Sequence, residues 1–331
     1  RAARRGHRGQ AMKRREFIKA SLTALGAAWL GRLAPAAEAA DAKPIPRRPF
    51  KDDVRLSVIG YGGMLAVDRT QAHTDALVAE AVERGVNYFD TAPTYGNGEA
   101  EEKMGPALSP YRDRIFLACK TTCRDAAGAR EELDRSLRRL RTDFFDLYQF
   151  HGVSALEDVD KIFAKGGAAE TLERARREGK VRYLGFSAHS EAAALALMDR
   201  FAFDSMLFPV NFVCYAQGGF GPRALAKARE KGVARLGMKG LACTPWARGE
   251  ERRFPKCWYR PIEDRALAAQ SLAFSLGEDI VSMLPPGDDH FFRLALDLAS
   301  DCPSLSPGER QALLDESKGI RPLFTSDVPG D

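Results

Sequence analysis

The chain has 331 residues, of which 45% are hydrophobic and 29% charged, and this ordinary globular composition argues against a disordered or fibrous protein. The formal net charge of +5 is concentrated in residues 1–39, which carry nine Lys or Arg and two acids. The rest of the chain carries 41 bases and 43 acids. Its charge therefore gives no reason to expect a nucleic-acid partner.

The basic leader has the three parts of a secretory signal. A basic segment, Met12–Lys19, precedes an apolar run, Ala20–Leu30, and small residues at 37–42 offer two A-x-A cleavage sites. The apolar run is too short to cross about 30 Å of hydrocarbon, which argues against a stable membrane anchor. The paired Arg14-Arg15 before Phe-Ile-Lys resembles the bacterial twin-arginine signal, which exports folded proteins.

We therefore expect residues 1–42 to be an upstream extension and a signal peptide that the twin-arginine (Tat) export machinery binds. The mature protein is then exported, to the periplasm, after it has folded in the cytoplasm. A basic amphipathic N-terminal helix is the alternative interpretation. Folding before export argues against a need for disulfides, and we interpret the cysteines as structural thiols: Cys119, Cys123, Cys214, Cys243, Cys257 and Cys302.

From residue 54 onward, short apolar strands alternate with helical patterns. The strands are apolar along nearly their whole length, as expected of parallel strands covered on both faces. Eight strands are predicted: Val54–Gly60, Val86–Thr91, Ile115–Lys120, Phe144–His151, Val181–Ser187, Ser205–Val213, Ala234–Lys239 and Asp279–Leu284. Helix signals with recognisable ends include Gln71–Arg84, Ala129–Arg141 and the segments that begin at Ser190 and Pro222.

Eight strand–helix units predict an α/β fold of the closed (β/α)8 TIM-barrel type, which we assign to residues 43–331. A doubly wound open sheet is the alternative. Residues 60–64 (Gly-Tyr-Gly-Gly-Met), however, lack the G-x-G-x-x-G fingerprint typical of such sheets. Two long connections, 152–165 and 240–260, are expected to be functional loops at the carboxyl end of the barrel.

Polar residues stand at three successive strand ends of the predicted barrel. Asp90, Lys120 and His151 end the second, third and fourth strands, and Tyr95 lies in the loop after Asp90. Barrel enzymes carry their active sites at the carboxyl ends of the strands. Each of these residues alone is more often structural, but four at adjacent strand ends predict a site.

This set of side chains suits acid catalysis on a carbonyl group. Tyr95 is protonated at neutral pH because the pKa of a phenol is about 10, and Lys120 can stabilise the phenolate by at most about 4 kcal/mol. Asp90 can hold the ammonium group, and His151 can orient the substrate oxygen or pass a proton. The sequence has no metal-ligand spacing and no serine nucleophile motif. A hydride-donating cofactor would complete the reaction.

Residues 89–99 (Phe-Asp-Thr-Ala-Pro-Thr-Tyr-Gly-Asn-Gly-Glu), followed by Lys120 and His151 at strand ends, closely resemble the aldo-keto reductases. The likeness extends over about residues 54–298. It implies a barrel with a nicotinamide cofactor across its mouth that reduces a small aldehyde, ketone or sugar carbonyl, or catalyses the reverse oxidation. It also implies a catalytic tetrad in which Tyr95 is the proton donor: Asp90, Tyr95, Lys120 and His151.

The resemblance further implies the residues that contact the cofactor. Ser187 matches a serine of the family, whereas His189 and Asn211 stand where asparagine and glutamine are usual. Met238 stands where an aromatic residue usually stacks on the nicotinamide. The expected cofactor-binding residues are Gly63, Met64, Ser187, His189, Asn211, Met238, Lys239 and Gly287.

The segment after the eighth strand bears on the choice of cofactor. NADP is the usual cofactor of the family, but Asp288 and Asp289 would disfavour its additional phosphate, while Arg293 would favour it. NAD therefore remains an alternative to NADP.

Two further alternatives stay open in the sequence. Trp258 and Tyr259, in the loop after the seventh strand, can stack on a ligand or pack that loop onto the barrel rim. The protein can also be a cofactor-binding barrel that acts as a structural or sensing partner subunit, or an isomerase or dehydratase without net redox chemistry.

Overall fold

The structure, a computed structural model, describes residues 44–301 and 304–328. The predicted signal segment at residues 1–42 and Cys302 lie outside these ranges. Within them, no helix is long and apolar enough to cross a membrane.

A β-hairpin precedes the barrel. Strand β1 (Arg47–Lys51) pairs antiparallel with β2 (Val54–Ser57), and Asp52 in the turn between them has a positive φ of 50°. Phe50 on this hairpin packs edge-on against the rings of Phe116 and Tyr183 at centroid distances of 5.1 and 5.4 Å. Phe116 and Tyr183 lie at or near the start of their barrel strands, so the hairpin closes the amino-terminal end of the barrel.

Eight parallel strands form the barrel, each hydrogen-bonded to its neighbours in chain order. They are β3 (Tyr61–Gly62), β4 (Tyr88–Asp90), β5 (Phe116–Thr121), β6 (Phe145–Val153), β7 (Val181–Ala188), β8 (Ser205–Pro209), β9 (Ala234–Met238) and β12 (Ser282–Leu284). Ile59 pairs in parallel with Met283, and the Gly60 N–H donates to the Met283 carbonyl at 3.0 Å. These contacts close the sheet, so the predicted (β/α)8 barrel is confirmed.

Two apolar cores hold the barrel strands and the surrounding helices together. The larger lies between the strands and the helices, and the smaller fills the barrel interior with residues such as Phe50, Tyr88, Leu147 and Leu236. The described α-helices are α1 (Gln71–Glu83), α2 (Glu99–Leu108), α3 (Ala126–Arg139), α4 (Leu156–Phe163), α5 (Ala168–Arg177), α6 (Glu191–Arg200), α7 (Phe212–Gly218), α8 (Pro222–Glu230), α9 (Arg265–Gly277), α10 (Asp289–Ala299) and α11 (Pro307–Glu316).

The structure corrects the predicted first and sixth strands. The segment predicted as Val54–Gly60 divides, because residues 54–57 form the hairpin and the barrel strand begins only after them. The strand predicted as Ser205–Val213 ends at Pro209. Asn211 then caps α7, since its Oδ1 accepts hydrogen bonds from the Val213 and Cys214 N–H groups at 2.9 and 3.1 Å.

The two long connections contain regular structure. Residues 152–165 include the whole of α4. Residues 240–260 include strand β10 (Ala242–Pro245) and most of β11 (Tyr259–Pro261), which pair antiparallel outside the barrel sheet. These elements give the upper rim of the barrel a fixed shape, on which the candidate site is built.

Candidate active site

A cavity of about 460 Å³ opens at the carboxyl ends of the barrel strands. All four residues of the predicted tetrad line it. Its wall consists of Gly62, Met64, Asp90, Tyr95, Lys120, His151, Ser187, His189, Leu207, Met238, Lys239, Lys256, Trp258, Tyr259, Leu284, Pro285, Pro286, Gly287 and Phe324.

Asp90 and Lys120 form a fully buried ion pair at the ends of β4 and β5. The Lys120 ammonium group donates to Asp90 Oδ1 and, at 2.9 Å, to the Thr91 carbonyl. Burial by itself lowers the pKa of Lys120, but the charge and hydrogen bond of Asp90, together with Tyr95 and Cys119, outweigh this effect and raise that pKa above its ordinary value. Lys120 therefore remains a cation at neutral pH.

The second carboxylate oxygen of Asp90 accepts hydrogen bonds from two buried donors. The sequence analysis did not identify either of them. The Tyr88 hydroxyl and the Gln149 Nε2 each donate to Asp90 Oδ2 at 3.0 Å. Burial, followed by the charge of Asp90, raises the pKa of Tyr88 well above its ordinary value, so its hydroxyl keeps the proton that it donates. The only sequence feature that could have pointed to Gln149 is that it is a polar residue inside an apolar strand.

Tyr95 begins the tight loop that follows β4. The next three residues all have positive φ: Gly96 at 60°, Asn97 at 53° and Gly98 at 100°. Glycine and asparagine adopt this conformation at the lowest cost, which explains their choice in the motif. The loop places the centre of the Tyr95 ring 5.3 Å from the Lys120 Nζ.

The environment of Tyr95 favours the neutral phenol. Burial raises the pKa of Tyr95, while the positive charge of Lys120 opposes this rise and that of Asp90 adds to it. Because the net direction is upward, Tyr95 carries its proton at neutral pH. The nearby ammonium group favours the phenolate that would remain after proton transfer.

His151 packs edge-on against Tyr95, with ring centroids 5.7 Å apart and planes at 83°. Burial and then the charge of Lys120 lower the pKa of His151 to about 3. The imidazole is therefore neutral, and its buried Nδ1 has no hydrogen-bond partner among the described residues. The sequence left two roles open for His151, which are to orient the substrate oxygen or to pass a proton. A neutral imidazole supports the first role rather than donation of a proton by an imidazolium ion.

The structure brings six of the eight predicted cofactor-binding residues to the cavity: Met64, Ser187, His189, Met238, Lys239 and Gly287. Gly287 lies so close to Met64 that a Cβ there would come within 2.4 Å of the Met64 Cβ. Ser187 Oγ accepts a hydrogen bond from the Gly152 N–H at 2.8 Å, which leaves its own proton available to a ligand.

The structure does not bring the other two, Gly63 and Asn211, to the cavity wall. Gly63 packs against Thr91, and a Cβ at Gly63 would lie 2.5 Å from the Thr91 Oγ1. Asn211 caps α7 with its oxygen and donates its Nδ2 to the Lys239 and Ala242 carbonyls. Since its donors and acceptor are engaged within the protein, we do not retain Asn211 as a cofactor ligand.

His189 lines the cavity, as predicted, and its ring contacts another side chain of the protein. Its ring stacks on Phe324, with centroids 5.4 Å apart and planes at 20°. Burial and the charge of Lys239 lower the pKa of His189 to about 4, so it is neutral. Phe324 belongs to the segment 317–328, which we call the C-terminal strap. No local sequence signal pointed to Phe324, because it reaches the cavity from the far end of the chain.

The loop between β9 and β11 contributes side chains to the cavity wall and is also packed internally. Trp258 and Tyr259 line the cavity, whereas Trp246 packs the loop by donating its Nε1 to the Cys257 carbonyl at 2.8 Å. Lys256 reaches across to donate to the Met64 carbonyl at 3.2 Å. The five cysteines of the described ranges are free thiols.

The charged residues after β12 are engaged with the protein. Asp288 caps α10 by accepting from the His290 N–H at 3.0 Å, and Asp289 pairs with His73 at 2.7 Å. Arg293, which we considered as a phosphate ligand, binds both carboxylate oxygens of Glu80 at 2.7–3.0 Å. It therefore offers no free charge to a ligand.

The groups that remain available fit a nicotinamide dinucleotide cofactor. Ser187 offers a hydroxyl proton to a carboxamide, Met238 offers an apolar thioether to a ring, and Lys239 offers a cation to a phosphate. Among the described residues, no group of three or more His, Cys, Asp or Glu is arranged to hold a metal ion.

Comparison with known proteins agrees with this geometry. Residues 58–218 match the sequence model of the Aldo/keto reductase family. This part of the chain is similar in sequence to that family. Methylglyoxal reductase YeaE of Escherichia coli (strain K12) is 33% identical over 142 residues, which are 42% of this chain and 48% of that protein. The match covers 42–48% of the first three curated relatives, so the chain spans about half their length.

Solved structures with the same barrel resemble most of the chain. The aldo-keto reductase AKR11C1 from Bacillus halodurans, in its holo form, has a TM-score of 0.67 and 23% identity, covering 84% of this chain and 98% of that one. The Bombyx mori aldo-keto reductase AKR2E4 in complex with NADP has a TM-score of 0.62 and 17% identity, covering 83% and 94%. At these identities the likeness establishes the fold of the domain.

Proposed function

We propose that the protein is an NADP(H)-dependent oxidoreductase that reduces the carbonyl group of a small aldehyde, ketone or sugar, or catalyses the reverse oxidation. The observation that carries this proposal is the position of one phenol, Tyr95, beside a buried ammonium group and a neutral imidazole in a single cavity. The bound cofactor supplies the hydride. The match to the Aldo/keto reductase family model and the similarity to a methylglyoxal reductase support the same reaction class.

Each residue of the tetrad has a separate task in this proposal. Tyr95 donates its hydroxyl proton to the carbonyl oxygen of the substrate, and Lys120 stabilises the resulting phenolate. Asp90 keeps Lys120 charged and in place, with its second oxygen held by buried donors. His151, neutral and edge-on to Tyr95, orients the carbonyl oxygen for protonation.

We infer that Ser187, Met238 and Lys239 are the principal cofactor contacts, since they supply the free hydroxyl, thioether and ammonium group of the cavity. NADP is supported by the complex of the Bombyx mori relative. NAD stays the alternative, because Arg293 is bound to Glu80 and Asp288 adds negative charge to the rim. Titration of the protein with NADPH and with NADH distinguishes the two.

Replacing the proposed acid tests this function. We expect Tyr95→Phe to lower kcat for carbonyl reduction by about 10²–10⁴-fold, because the reaction loses its proton donor. The affinity for NADPH should stay within a factor of about two, since the hydroxyl serves the substrate. Cofactor absorbance with a panel of aldehydes, ketones and sugars measures turnover, and fluorescence titration measures NADPH binding.

The matched control is Tyr111→Phe, which removes a phenol hydroxyl outside the cavity wall. Unchanged turnover in Tyr95→Phe would exclude the acid role. A wild-type protein that binds NADPH but turns over no member of the panel would favour the partner-subunit alternative. Conversion of a substrate without change in cofactor absorbance would favour the isomerase or dehydratase alternative.

We also propose that residues 12–42 direct export by the twin-arginine machinery to the periplasm. The paired arginines before an apolar run and small-residue cleavage sites support this proposal.

A further inference from the structure

The end of strand β6, which carries His151, is irregular. Its pairing with β5 ends at Phe150. Between Phe150 and Val153, β6 has one residue more than the stretch of β7 that lies opposite. Gly152, within this β-bulge, has a positive φ of 60°. A bulge bends its strand and changes the direction of the side chains there, so this bulge aims the His151 ring.

Side chains from outside β6 bind the backbone groups of the bulge. The Gly152 N–H donates to Ser187 Oγ on β7 at 2.8 Å. The His151 carbonyl accepts from Arg124 Nη2, in the loop after β5, at 2.9 Å. The Nδ1 atom of the His151 ring, by contrast, has no hydrogen-bond partner among the described residues. The position of the ring therefore depends on how its backbone is held.

Arg124 is itself fixed in both its backbone and its side chain. Its carbonyl accepts from the Ala168 N–H, at the start of α5, at 2.9 Å. Its Nη2 also donates to Asp158 Oδ2 on α4 at 3.2 Å, and the side chain is only 16% exposed. A guanidinium group suits this place because it can donate to a carbonyl and a carboxylate at once. Arg124 thus holds the His151 carbonyl from a rigid base.

The charge of Arg124 acts on the imidazole as well. Burial contributes most to the low pKa of His151, followed by the charges of Lys120, His189 and Arg124. Arg124 is not one of the residues of the cavity wall. Its effect on a bound ligand is therefore transmitted through His151.

We propose that Arg124 is a positioning residue for carbonyl reduction: it holds the bulge at the end of β6 and, with it, the imidazole that orients the substrate oxygen. This inference rests on the proposed function for the task of His151, whereas the contact between the two residues does not. No other role in the cavity has been assigned to Arg124, and the loop that carries it shows no local motif.

The structure offers a matched control at the opposite end of the barrel. Arg112 Nη2 also donates to a backbone carbonyl, that of Phe144, at 2.9 Å, and pairs with a carboxylate, that of Asp146, at 3.0 Å. Arg124→Met and Arg112→Met therefore remove the same kinds of contact. We expect scanning calorimetry to show a lower Tm for both, because each variant loses an ion pair and a hydrogen bond.

Only the variant near the cavity should impair turnover. We expect Arg124→Met to lower kcat with a panel of aldehydes, ketones and sugars by about 10- to 100-fold, because a displacement of about 1 Å in an orienting group can cost about 10²-fold. Its affinity for NADPH, measured by fluorescence titration, should stay within about twofold. Arg124→Lys, which keeps a charged donor, should recover most of the loss, and Arg112→Met should match the wild type.

A double variant tests whether Arg124 acts through His151. In the background of His151→Asn, the change Arg124→Met should alter kcat by less than about twofold, because the imidazole that it positions is already absent. Two independent losses would instead multiply. If Arg124→Met does not fold, Arg124→Gln, which removes the charge and keeps an amide, takes its place in each of these measurements.

The position of the ring can also be followed without turnover. In protein with isotope-labelled histidine, the NMR signal of the His151 ring is the one that His151→Asn removes. We expect Arg124→Met to shift this signal and Arg112→Met to leave it in place. The proposal is overturned if Arg124→Met leaves either this signal or kcat as in the wild type, if Arg112→Met has the same effects, or if the losses in the double variant multiply. A wild type that reduces no member of the panel counts against the proposed function, and the ring signal then decides alone whether Arg124 positions His151.

Discussion

Asp90 and Lys120 form a buried ion pair in which the charge of Lys120 depends on Asp90. Lys120 is a cation because Asp90 raises its pKa against the effect of burial. Tyr88 on β4 and Gln149 on β6 donate to the other carboxylate oxygen from the two strands that flank β5, and so hold the carboxylate in place. The pair therefore determines both the charge beside Tyr95 and the stability of this part of the barrel.

We expect Asp90→Asn to lower the free energy of unfolding by about 3–5 kcal/mol, because it leaves a buried cation without a partner. It should also abolish most carbonyl reduction, since Asp90 then no longer opposes the effect of burial, which lowers the pKa of Lys120. The double variant Asp90→Asn with Lys120→Met should recover part of the stability but none of the activity. Urea denaturation and turnover measure the two effects.

The matched control is Asp134→Asn, which breaks the partly exposed pairs of Asp134 with Lys180 at 2.8 Å and with Arg130 at 2.9 Å. Such a pair contributes at most about 1 kcal/mol. If the single and double variants of the buried pair were equally unstable, the uncompensated charge would not be the cause of the loss.

At the scale of secondary-structure elements, carboxylates fasten the C-terminal strap to two helices. Asp327 Oδ1 accepts from the Glu191 and Ala192 N–H groups at 3.0 Å, at the start of α6. Glu191 in turn accepts from N–H groups at the start of α8 and from the Ser326 hydroxyl at 2.8 Å. Negative charge at a helix N-terminus is favourable, so both contacts keep Phe324 over the cavity.

Asp327→Ala should therefore lower the free energy of unfolding by about 1 kcal/mol and release the strap. We expect KM for the carbonyl substrate to rise about three- to tenfold with a smaller change in kcat, because Phe324 contributes to the wall and not to proton transfer. Steady-state kinetics and urea denaturation test this. Asp75→Ala on α1, which removes an acceptor of the Gln71 side chain on the same helix, is the control. An unchanged KM in Asp327→Ala would show that the strap does not shape the site.

The elements that sequence reasoning predicted are those with strong local signals. The barrel followed from apolar strands alternating with capped helices, and the tetrad followed from polar residues at strand ends. The hairpin of β1 and β2 was missed because an Asp52 turn between two short strands resembles an ordinary loop. Asn211 was predicted inside the sixth strand, whereas it caps the next helix, because a residue near the end of a predicted strand can equally serve as a helix cap. Phe324 was not predicted as part of the cavity, because its place there results from tertiary packing, which no local sequence pattern indicates.

At the scale of the whole molecule, the proposed export raises the question of cofactor supply. A protein that crosses the membrane already folded can carry a bound cofactor with it. We expect the exported protein to be purified with NADP(H) bound, detectable by its absorbance and by release on denaturation. Arg14→Lys with Arg15→Lys should retain the protein in the cytoplasm, as cell fractionation would measure. An exported protein that is free of cofactor and binds it weakly would contradict this expectation.

The hairpin that carries Phe50 also constrains the kinetics. Because it closes the amino-terminal end of the barrel, the cavity has a floor, and ligands use the opening at the carboxyl ends of the strands. A ligand bound deep in the cavity is covered by one bound nearer the opening. We therefore expect the proposed reaction to follow a compulsory order, in which the deeper ligand binds first and leaves last.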